Sequence, residues 1–301
     1  MRIFRMIKLL LMSRDLFSNW LSASVRYFLM RCGLVRKGSI AVKCNDRVYM
    51  LKPGTYGAIV YAYYRKAFES LECSDNIYAV VSYRGRKIRF YDSFEFLYDI
   101  VYENFVGGAY DDLDVVNATV VDVGAGVGDT AILFVLRGAR RVIALEPYPS
   151  LYRKALVNIR INGVEDRVIL VNAGLGSFDG EVCAEARDVN GYYLFSPSSR
   201  CDARVRMHTL RTLIKEFGIE ENSVLKMDCE GCEYETVLHA NPEDLKVFKE
   251  IVIEYHNGYG ELVKLLENLG FDVDIKPIKS TSQPIKKQGY IVAKRNQNDL
   301  A

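Results

Sequence analysis

A glycine-rich loop is the part of this sequence that most plainly predicts ligand chemistry. The run from 120 to 130 reads Val-Val-Asp-Val-Gly-Ala-Gly-Val-Gly-Asp-Thr, which places glycines at Gly124, Gly126 and Gly128. Glycine adopts backbone torsions that other residues resist, and it lets a ligand approach the main chain closely. A helix predicted to begin at Asp129 would present free N–H groups to an anion such as a carboxylate. The loop therefore predicts a binding site for a ligand that carries an anionic group.

Two acidic residues lie on either side of this loop. Asp122 comes just before it, where a carboxylate could hold a cationic ammonium group. Glu146 ends the next predicted strand, where an acid can accept hydrogen bonds from both hydroxyls of a ribose. Sites for an ammonium, a carboxylate and a ribose together predict S-adenosylmethionine as the cofactor. A tight turn without a ligand would explain one glycine, but it explains poorly three glycines with both acids.

A nicotinamide dinucleotide is the obvious rival, because it also uses a glycine-rich turn and a ribose-binding acid. Its fingerprint spaces the glycines G-x-G-x-x-G, whereas this sequence has Asp129 at the last of those positions. A carboxylate at the start of the helix would also repel a pyrophosphate. The sequence therefore favours a methyl donor over a dinucleotide.

A second group of ionisable residues follows two later predicted strands. These residues are Asp228, Glu230, Glu233, Glu254 and His256. In an open α/β sheet, residues just past the carboxyl ends of the strands line the ligand crevice. Methyl transfer to a hydroxyl requires mainly alignment of the acceptor oxygen, and a general base that takes its proton contributes about 10²- to 10⁴-fold. We predict Glu230 and His256 as base candidates, with Asp228 and Glu254 as supporting groups.

Other interpretations of these residues stay open. Glu233 fits a role at the start of its helix better than a chemical role, and His256 fits a structural role as well as it fits that of a base. The acids and His256 have the ligand types that a divalent metal uses, but their spacing does not require one. Cys229 and Cys232 have the spacing of a zinc or redox pair. Because no second cysteine pair accompanies them, we predict no metal site.

Apolar strands alternate with amphipathic helices from Ala118 onward, which indicates a doubly wound, mostly parallel sheet. The predicted strands span 119–123, 141–145, 168–171, 223–227, 251–254, 271–275 and 290–293. The predicted helices span 129–137, 149–161, 209–217 and 260–269, with one more from about 233. The last two strands have no helix between them, so they predict an antiparallel hairpin. The sequence thus predicts a Rossmann-like, seven-stranded α/β domain over 93–301.

Residues 1–92 predict an N-terminal α+β accessory region. Eight basic residues and one acid, Asp15, fall in the first 40 positions, with apolar residues at helical spacing: Arg2, Arg5, Lys8, Arg14, Arg26, Arg31, Arg36 and Lys37. Accessory helices packed on the main domain are the favoured interpretation, and weak contact with an anionic membrane surface is the alternative. Residues 38–92 look β-rich, with hairpins predicted at 39–51 and 77–91. The segment 94–105 has helical spacing.

The composition excludes few classes of function. The 301 residues are 50% hydrophobic with a formal net charge of +2, which gives no general reason to expect a nucleic-acid partner. Seven cysteines are too few for a disulfide scaffold in a chain of this length. They favour a reducing compartment. No apolar run reaches the roughly 18 to 20 residues of a spanning helix, so we expect a cytoplasmic protein.

The order of motifs resembles the FkbM family of methyltransferases. VVDVGAGVGDT is followed by ALEP at 144–147, by LRTLIKEF at 210–217, by LKMDCEGCE at 225–233 and by IEYH at 253–256. The resemblance covers about residues 94–256. Cys229 and Cys232 replace what are more often a hydrophobic and a small residue in the family, and the acids of the motif are retained.

The resemblance implies O-methylation of a hydroxyl on a sugar, a glycan or a specialised metabolite. It implies that the donor is bound by the loop and by residues after the next two strands: Asp122, Gly124, Ala125, Gly126, Gly128, Asp129, Thr130, Glu146, Pro147, Asn172 and Ala173. Asn172 and Ala173 would border the adenine, and Asp228 would lie near the methyl group.

Two rival functions remain. An RNA methyltransferase acting on a base nitrogen would often carry an Asn/Asp-Pro-Pro-aromatic turn where this chain has Asp-Cys-Glu-Gly, and acids there repel a phosphate backbone. Nucleic acid is therefore the disfavoured acceptor. A protein that binds the donor without turnover is the other rival. The segment 179–207 and the N-terminal region are the predicted sources of acceptor specificity, and neither contains a readable motif.

Overall fold

A computed structural model of the chain describes residues 11–36, 38–189, 192–197, 201, 203–277 and 288–295. The chain divides into two compact units, Met1–Gly108 and Ala109–Ala301. The sequence placed the boundary earlier, after residue 92. The segment that follows residue 92 belongs to the first unit because Phe105 packs its ring against Tyr83 and Phe90, at centroid distances of 5.3 and 6.1 Å.

Within its described residues, the first unit contains three α-helices and five strands. The helices are α1 (Trp20–Arg31), α2 (Pro53–Tyr64) and α3 (Leu97–Ile100), the last of which continues as a π-helix over Val101–Val106. The strands are β1 (Ile40–Cys44), β2 (Arg47–Leu51), β3 (Ser70–Cys73), β4 (Ile77–Tyr83) and β5 (Arg86–Tyr91). The β1–β2 and β4–β5 pairs are antiparallel, which confirms both predicted hairpins.

The turns explain why these hairpins form. Asn45 and Asp46 have φ of 47° and 63°, and Arg84 and Gly85 have φ of 48° and 78°. Two-residue hairpin loops favour such left-handed pairs because their twist matches that of the strands.

The prediction that residues 38–92 are β-rich was wrong over α2. Its aromatic and β-branched residues favour strands individually. However, Tyr56, Ile59 and Val60 recur at helical spacing and are buried, and Pro53 suits the first position of a helix. Burial of one helical face outweighs the local strand preference.

The α1 helix covers part of the predicted basic amphipathic segment. It buries Ala23, Ser24 and Met30 and exposes Leu21 and Val25. The predicted positions Arg2, Arg5, Lys8 and Lys37 lie outside the described residues.

A seven-stranded sheet forms the centre of the second unit. Its strands are β6 (Thr119–Val123), β7 (Arg141–Leu145), β8 (Val168–Val171), β13 (Ser223–Met227), β14 (Phe248–Tyr255), β15 (Phe271–Pro277) and β16 (Gly289–Arg295). Their order in the sheet is β15-β16-β14-β13-β6-β7-β8. Strand β16 is antiparallel to β14 and β15, and the other pairs are parallel. The predicted α/β sheet and its terminal hairpin are confirmed.

The helices of this unit alternate with those strands. They are α4 (Asp129–Leu136), α5 (Pro149–Ile161), α6 (Leu210–Phe217), α7 (Cys232–Val237), α8 (Pro242–Leu245) and α9 (Gly260–Asn268). Strands β6 and β13 are buried at every position, so the sheet is covered on both faces there. The order of the sheet reverses between β6 and β13, and ligands of such sheets bind beyond the carboxyl ends of the strands at this point.

A small sheet interrupts the alternation between β8 and α6. It contains β9 (Gly174–Leu175), β10 (Gly180–Val189), β11 (Tyr192–Pro197) and β12 (Ala203–His208) in the order β11-β10-β12-β9. The sequence of this region predicts no strands, because its polar residues give no clear alternation.

Six of the seven cysteines form disulfides in the structure. The pairs are Cys44–Cys73, Cys183–Cys201 and Cys229–Cys232, and Cys32 is free and exposed. This corrects the expectation of reduced cysteines, which rested on their number and ignored which of them the fold brings together. Among the described residues, no helix combines the length and the hydropathy that crossing a membrane requires.

Candidate active site

The glycine-rich loop lies between β6 and α4, as predicted. Two of its positions favour glycine for different physical reasons. Gly124 has φ of +80°, and a Cβ there would lie 1.8 Å from the backbone oxygen of Asp228. Gly126 has φ of +53°, and the nearest atom that its Cβ would meet is Asp129 Oδ1 at 3.8 Å. Gly124 therefore permits two backbones to approach, whereas Gly126 leaves its side of the loop open to a ligand.

Glu146 is held against this loop at the end of β7. Its Oε2 accepts a hydrogen bond from Gly126 N at 2.9 Å, and its Oε1 accepts one from Tyr148 N at 2.8 Å. Burial raises the pKa of Glu146 to about 8, and the two backbone N–H groups oppose that rise only in part. The structure thus fixes the position of this carboxyl group, and its predicted binding of the two ribose hydroxyls stays a prediction.

The structure places Asp122 inside the protein, at the base of the loop. Its carboxylate is fully buried, with Oδ2 accepting a hydrogen bond from Thr130 Oγ1 at 2.6 Å and Oδ1 lying 3.0 Å from Lys226 Nζ. These contacts fix the base of the loop and the start of α4. The predicted contact of Asp122 with the ammonium of the donor stays a prediction.

Lys226 lies at the base of the loop and is not among the site residues predicted from the sequence. It is fully buried on β13, and its Nζ also donates to Gly124 O at 3.0 Å. The available signal was a lysine inside an otherwise apolar, buried strand. Lysine is almost never fully buried unless it is paired, so that position required a partner within the fold.

The remaining predicted donor residues border the loop or Glu146. Asn172 Nδ2 donates to Glu146 O at 2.8 Å and to Pro147 O at 3.1 Å, which ties the end of β8 to the end of β7. Ala173 is fully buried beside it. Ala125 N donates to Leu145 O at 2.9 Å. These contacts place the predicted donor residues at one edge of the sheet.

A sharp turn follows β13 and presents Glu230. Glu230 has φ of +57° and Gly231 has φ of +117°, so two successive residues leave the right-handed region. The disulfide between Cys229 and Cys232 closes this turn. The pairing of these cysteines was not predicted. It places a covalent bond directly across the residue that we predicted as a base.

His256 lies at the centre of the predicted catalytic residues. Its Nδ1 is 2.8 Å from Glu233 Oε1. Its Nε2 is 3.5 Å from Glu230 Oε2, 3.9 Å from Glu254 Oε1 and 4.0 Å from Asp228 Oδ1. The structure thus brings together all five of the ionisable residues that the sequence placed at or just after the ends of β13 and β14.

The protonation states of this cluster separate the two base candidates. Burial alone would lower the pKa of His256, but its hydrogen bond with Glu233 and the charges of Glu230, Glu233 and Glu254 raise that pKa to about 9. Burial raises the pKa of Glu230 above its ordinary value, partly opposed by the charge of His256. The raised pKa favours the charged form of His256 at neutral pH, which favours Glu230 over His256 as the base. Both assignments stay predictions.

Glu233 has the structural role that the sequence favoured. It is fully buried, and its Oε2 accepts a hydrogen bond from Gly231 N at 2.9 Å at the start of α7. Its other oxygen orients His256. Glu233 thus connects the turn that carries Glu230 to the imidazole beside it.

A divalent metal has candidate ligands in the same cluster. One ligand atom each of Asp228, Glu254 and His256 lies within 4.8 Å of the others. Binding through His256 requires its neutral form, and the raised pKa of His256 opposes that at neutral pH. The prediction that no metal is needed stays a prediction.

Comparison with known proteins finds one family whose sequence profile matches this chain. A sequence profile described as the methyltransferase FkbM domain matches residues 122–273. That range begins at Asp122 and includes the loop, Glu146 and the whole ionisable cluster.

Individual proteins show weaker similarity. A tRNA(Phe) (4-demethylwyosine(37)-C(7)) aminocarboxypropyltransferase from Pyrococcus horikoshii is 37% identical over 73 residues, which are 24% of this chain. The match spans 26%, about a quarter, of that curated relative. The crystal structure of a methyltransferase FkbM from Methylobacillus flagellatus aligns with a TM-score of 0.43 and 14% identity, over 67% of this chain and 54% of that one. The tRNA m1G37 methyltransferase of M. jannaschii aligns with a TM-score of 0.41 and 15% identity, over 76% of this chain and 60% of that one.

Proposed function

The chain belongs to the FkbM family of methyltransferases, and we propose that it uses S-adenosylmethionine to methylate a hydroxyl oxygen of a sugar, glycan or specialised metabolite. The observation that carries this proposal is the position of Glu230. Its raised pKa and its neighbour His256 suit it to take a proton from an acceptor hydroxyl at the edge of the sheet where the glycine-rich loop also ends.

The described residues fit the proposed donor. The open side of Gly126 admits a ligand to the loop, and Glu146 can accept hydrogen bonds from the ribose hydroxyls. The amino end of α4, at Asp129, offers N–H groups to the donor carboxylate. When bound, S-adenosylmethionine supplies a methyl group on a sulfonium, which becomes a neutral thioether on transfer.

The chain's own contribution is alignment and proton removal. Glu230 accepts the proton of the acceptor hydroxyl, and the His256 cation stabilises the carboxylate before that step. Because the pKa of Glu230 lies above its ordinary value, its carboxylate is a stronger base than an ordinary glutamate. Glu233 holds the imidazole in place, and Glu254 and Asp228 add negative charge around it.

A second candidate acceptor is RNA. It is favoured by the names of two similar proteins, which act on tRNA. Against it stand the carboxylates of Asp228, Glu230 and Glu254 at the predicted acceptor position, because they repel a phosphate backbone. We therefore keep the hydroxyl of a small molecule or glycan as the favoured acceptor.

Calorimetric titration tests the donor. We expect S-adenosylmethionine to bind and to raise the melting temperature, with no effect of NAD under the same conditions. Stabilisation by NAD alone would overturn the proposal.

A transfer assay with methyl-labelled donor tests the acceptor, using a panel of sugars, glycans and hydroxylated metabolites beside total tRNA. Label in the hydroxyl compounds supports the proposal. Label confined to tRNA would favour the RNA candidate, and donor binding without transfer to any member would favour a non-catalytic role.

A further inference from the structure

Lys226 is a buried cation at the point where the two halves of the site meet. It is paired in register with Asp122 across the parallel strands β13 and β6. Neighbours in such a pair lie on the same face of the sheet, which explains the 3.0 Å distance between Lys226 Nζ and Asp122 Oδ1. Both side chains are buried, with 1% and 0% of their surfaces exposed.

The same ammonium group also contacts the backbone of the donor loop. Lys226 Nζ donates to Gly124 O at 3.0 Å and lies 3.5 Å from Val123 O. It lies 5.8 Å from the centre of the Tyr110 ring. A single side chain thus joins the carboxylate before the loop to the first carbonyl within it.

A buried ion pair by itself does not argue for a functional role. Pairs of this kind contribute little net stability, and replacing both partners with neutral residues is often neutral or stabilising. In this pair, however, Lys226 has a contact that its ion pair does not need, the one to Gly124 O. Gly124 precedes Gly126, whose open side is the predicted donor position.

We propose that Lys226 is a positioning residue for the donor, which acts by fixing the conformation of the loop through Gly124 O and by keeping Asp122 paired within the protein. The proposal rests on the proposed function, since it assumes that this loop binds S-adenosylmethionine. Lys226 does not contact the reacting atoms; it acts through the backbone of the loop.

Charge balance supports this assignment. Burial alone would lower the pKa of Lys226, but the charges of Asp122, Asp228 and Asp129 keep that pKa above its ordinary value. The ammonium is therefore charged throughout the neutral range. It compensates carboxylates on both sides of the loop.

Three variants separate positioning from a merely structural role. Lys226→Met removes the ammonium and leaves Asp122 buried without its cation. Asp122→Asn removes the carboxylate and keeps the contact to Gly124 O. The double variant removes both charges of the pair, so Asp122 is no longer a buried carboxylate without its cation. Each is measured by urea unfolding and by calorimetric titration with S-adenosylmethionine.

We expect the double variant to unfold near the wild-type urea midpoint and still to bind the donor at least tenfold more weakly. Asp122→Asn should weaken binding less than Lys226→Met does. Donor affinity in the double variant within twofold of wild type would overturn the proposal, since Lys226 would then serve only to balance Asp122.

Other outcomes are equally decisive. A double variant that does not fold would show that the pair serves the fold itself, and would overturn a role confined to the loop. If Asp122→Asn weakens binding more than Lys226→Met, direct contact of Asp122 with the donor replaces the proposal. Failure of the wild-type protein to bind S-adenosylmethionine would overturn the proposed function, and this proposal with it.

Discussion

The site has one half that we propose to bind the donor and one that we propose to hold the acceptor, and the two halves are built in different ways. The donor half, after β6 and β7, consists mainly of backbone groups whose positions are fixed by glycines and by Glu146. The acceptor half, after β13 and β14, consists of charged side chains around His256. Backbone geometry is encoded locally in the sequence, whereas the charge state of a side-chain cluster depends on every neighbour. The donor half is therefore the easier one to predict, and the acceptor half offers more ways to alter activity.

Among the changes that test this difference between the halves, we expect Glu230→Gln to have the largest effect on activity. Because the amide of glutamine cannot accept the proton of the acceptor hydroxyl, we expect kcat to fall by about 10²- to 10⁴-fold. Donor affinity should stay within twofold, since Glu230 belongs to the acceptor half. Steady-state kinetics and donor titration measure the two quantities separately.

Glu216→Gln, an exposed change on α6, is a matched control and should leave both quantities unchanged. Loss of donor affinity in Glu230→Gln would move Glu230 into the donor half and remove the distinction between the halves.

Glu146→Gln is the corresponding change in the donor half. Hydrogen bonds to a charged group contribute about 1.5 to 3 kcal/mol, so we expect the donor Kd to rise about 10- to 100-fold. The free carboxyl has a pKa of about 8, and hydroxyl donors favour its ionised form. Wild-type donor affinity should therefore increase as pH rises towards 8 and then level off.

Calorimetry in two buffers of different ionisation enthalpy checks this proton release. The Gln variant should release no proton at this site. Equal proton release by wild type and variant would show that another group titrates on donor binding.

These two residues show how far sequence reasoning reached. Glu146 and the loop glycines were predicted because a strand, a turn and a helix start lie within one short stretch. Glu230 was predicted from its place after a strand. The proposed role of Lys226 was not predicted, because Lys226 and its partner Asp122 are adjacent only through the register of β13 on β6. The charge of His256 and the pairing of Cys229 with Cys232 likewise depend on distances that spacing does not give.

The secondary-structure elements likewise divide into those that the sequence predicts and those that it does not. The strands and helices after residue 118 followed from periodicity, and several bounds agree exactly, as for β7 and α5. The α2 helix was missed because burial in the first unit overrides the strand preference of its residues. The strands β10 to β12 were missed because they pair mainly with each other and need no continuous apolar face.

His256 provides a third test, through the pH dependence of stability. The pKa of His256 in the folded protein, about 9, lies above the ordinary value of 6.5. Its contribution to the free energy of unfolding is therefore complete below pH 6.5 and is lost as pH rises through 9. We expect the wild-type free energy of unfolding to fall by about 2 to 3 kcal/mol more than that of His256→Gln over this range. Urea unfolding from pH 6 to pH 9.5 measures the difference.

Glu146 also has a raised pKa and loses stability with rising pH, but it does so equally in both proteins. The comparison of wild type with His256→Gln therefore reports on His256 together with Glu230, whose pKa the histidine charge lowers. Parallel pH profiles would mean that His256 is not a cation in the fold, and it would again become a candidate base.

The smallest effect is expected from opening the Cys229–Cys232 disulfide, which tests whether covalent closure matters in the acceptor half. Replacing both cysteines with serine removes a short loop constraint, worth about 2 kcal/mol in the chain-entropy view. It also frees the turn that holds Glu230 at φ of +57°. We expect kcat to fall severalfold with donor Kd unchanged.

The Cys44–Cys73 pair in the first unit is the matched control, because it closes a longer loop remote in sequence from the ionisable cluster. Its double serine variant should lose at least as much stability and keep kcat. A dithiol reductant acting on wild type should reproduce the drop in kcat, and should add nothing to the Cys229→Ser/Cys232→Ser variant. Equal kcat in all three proteins would show that hydrogen bonds from Glu233 and the backbone hold Glu230 without help from the disulfide, so that the two halves differ in charge alone.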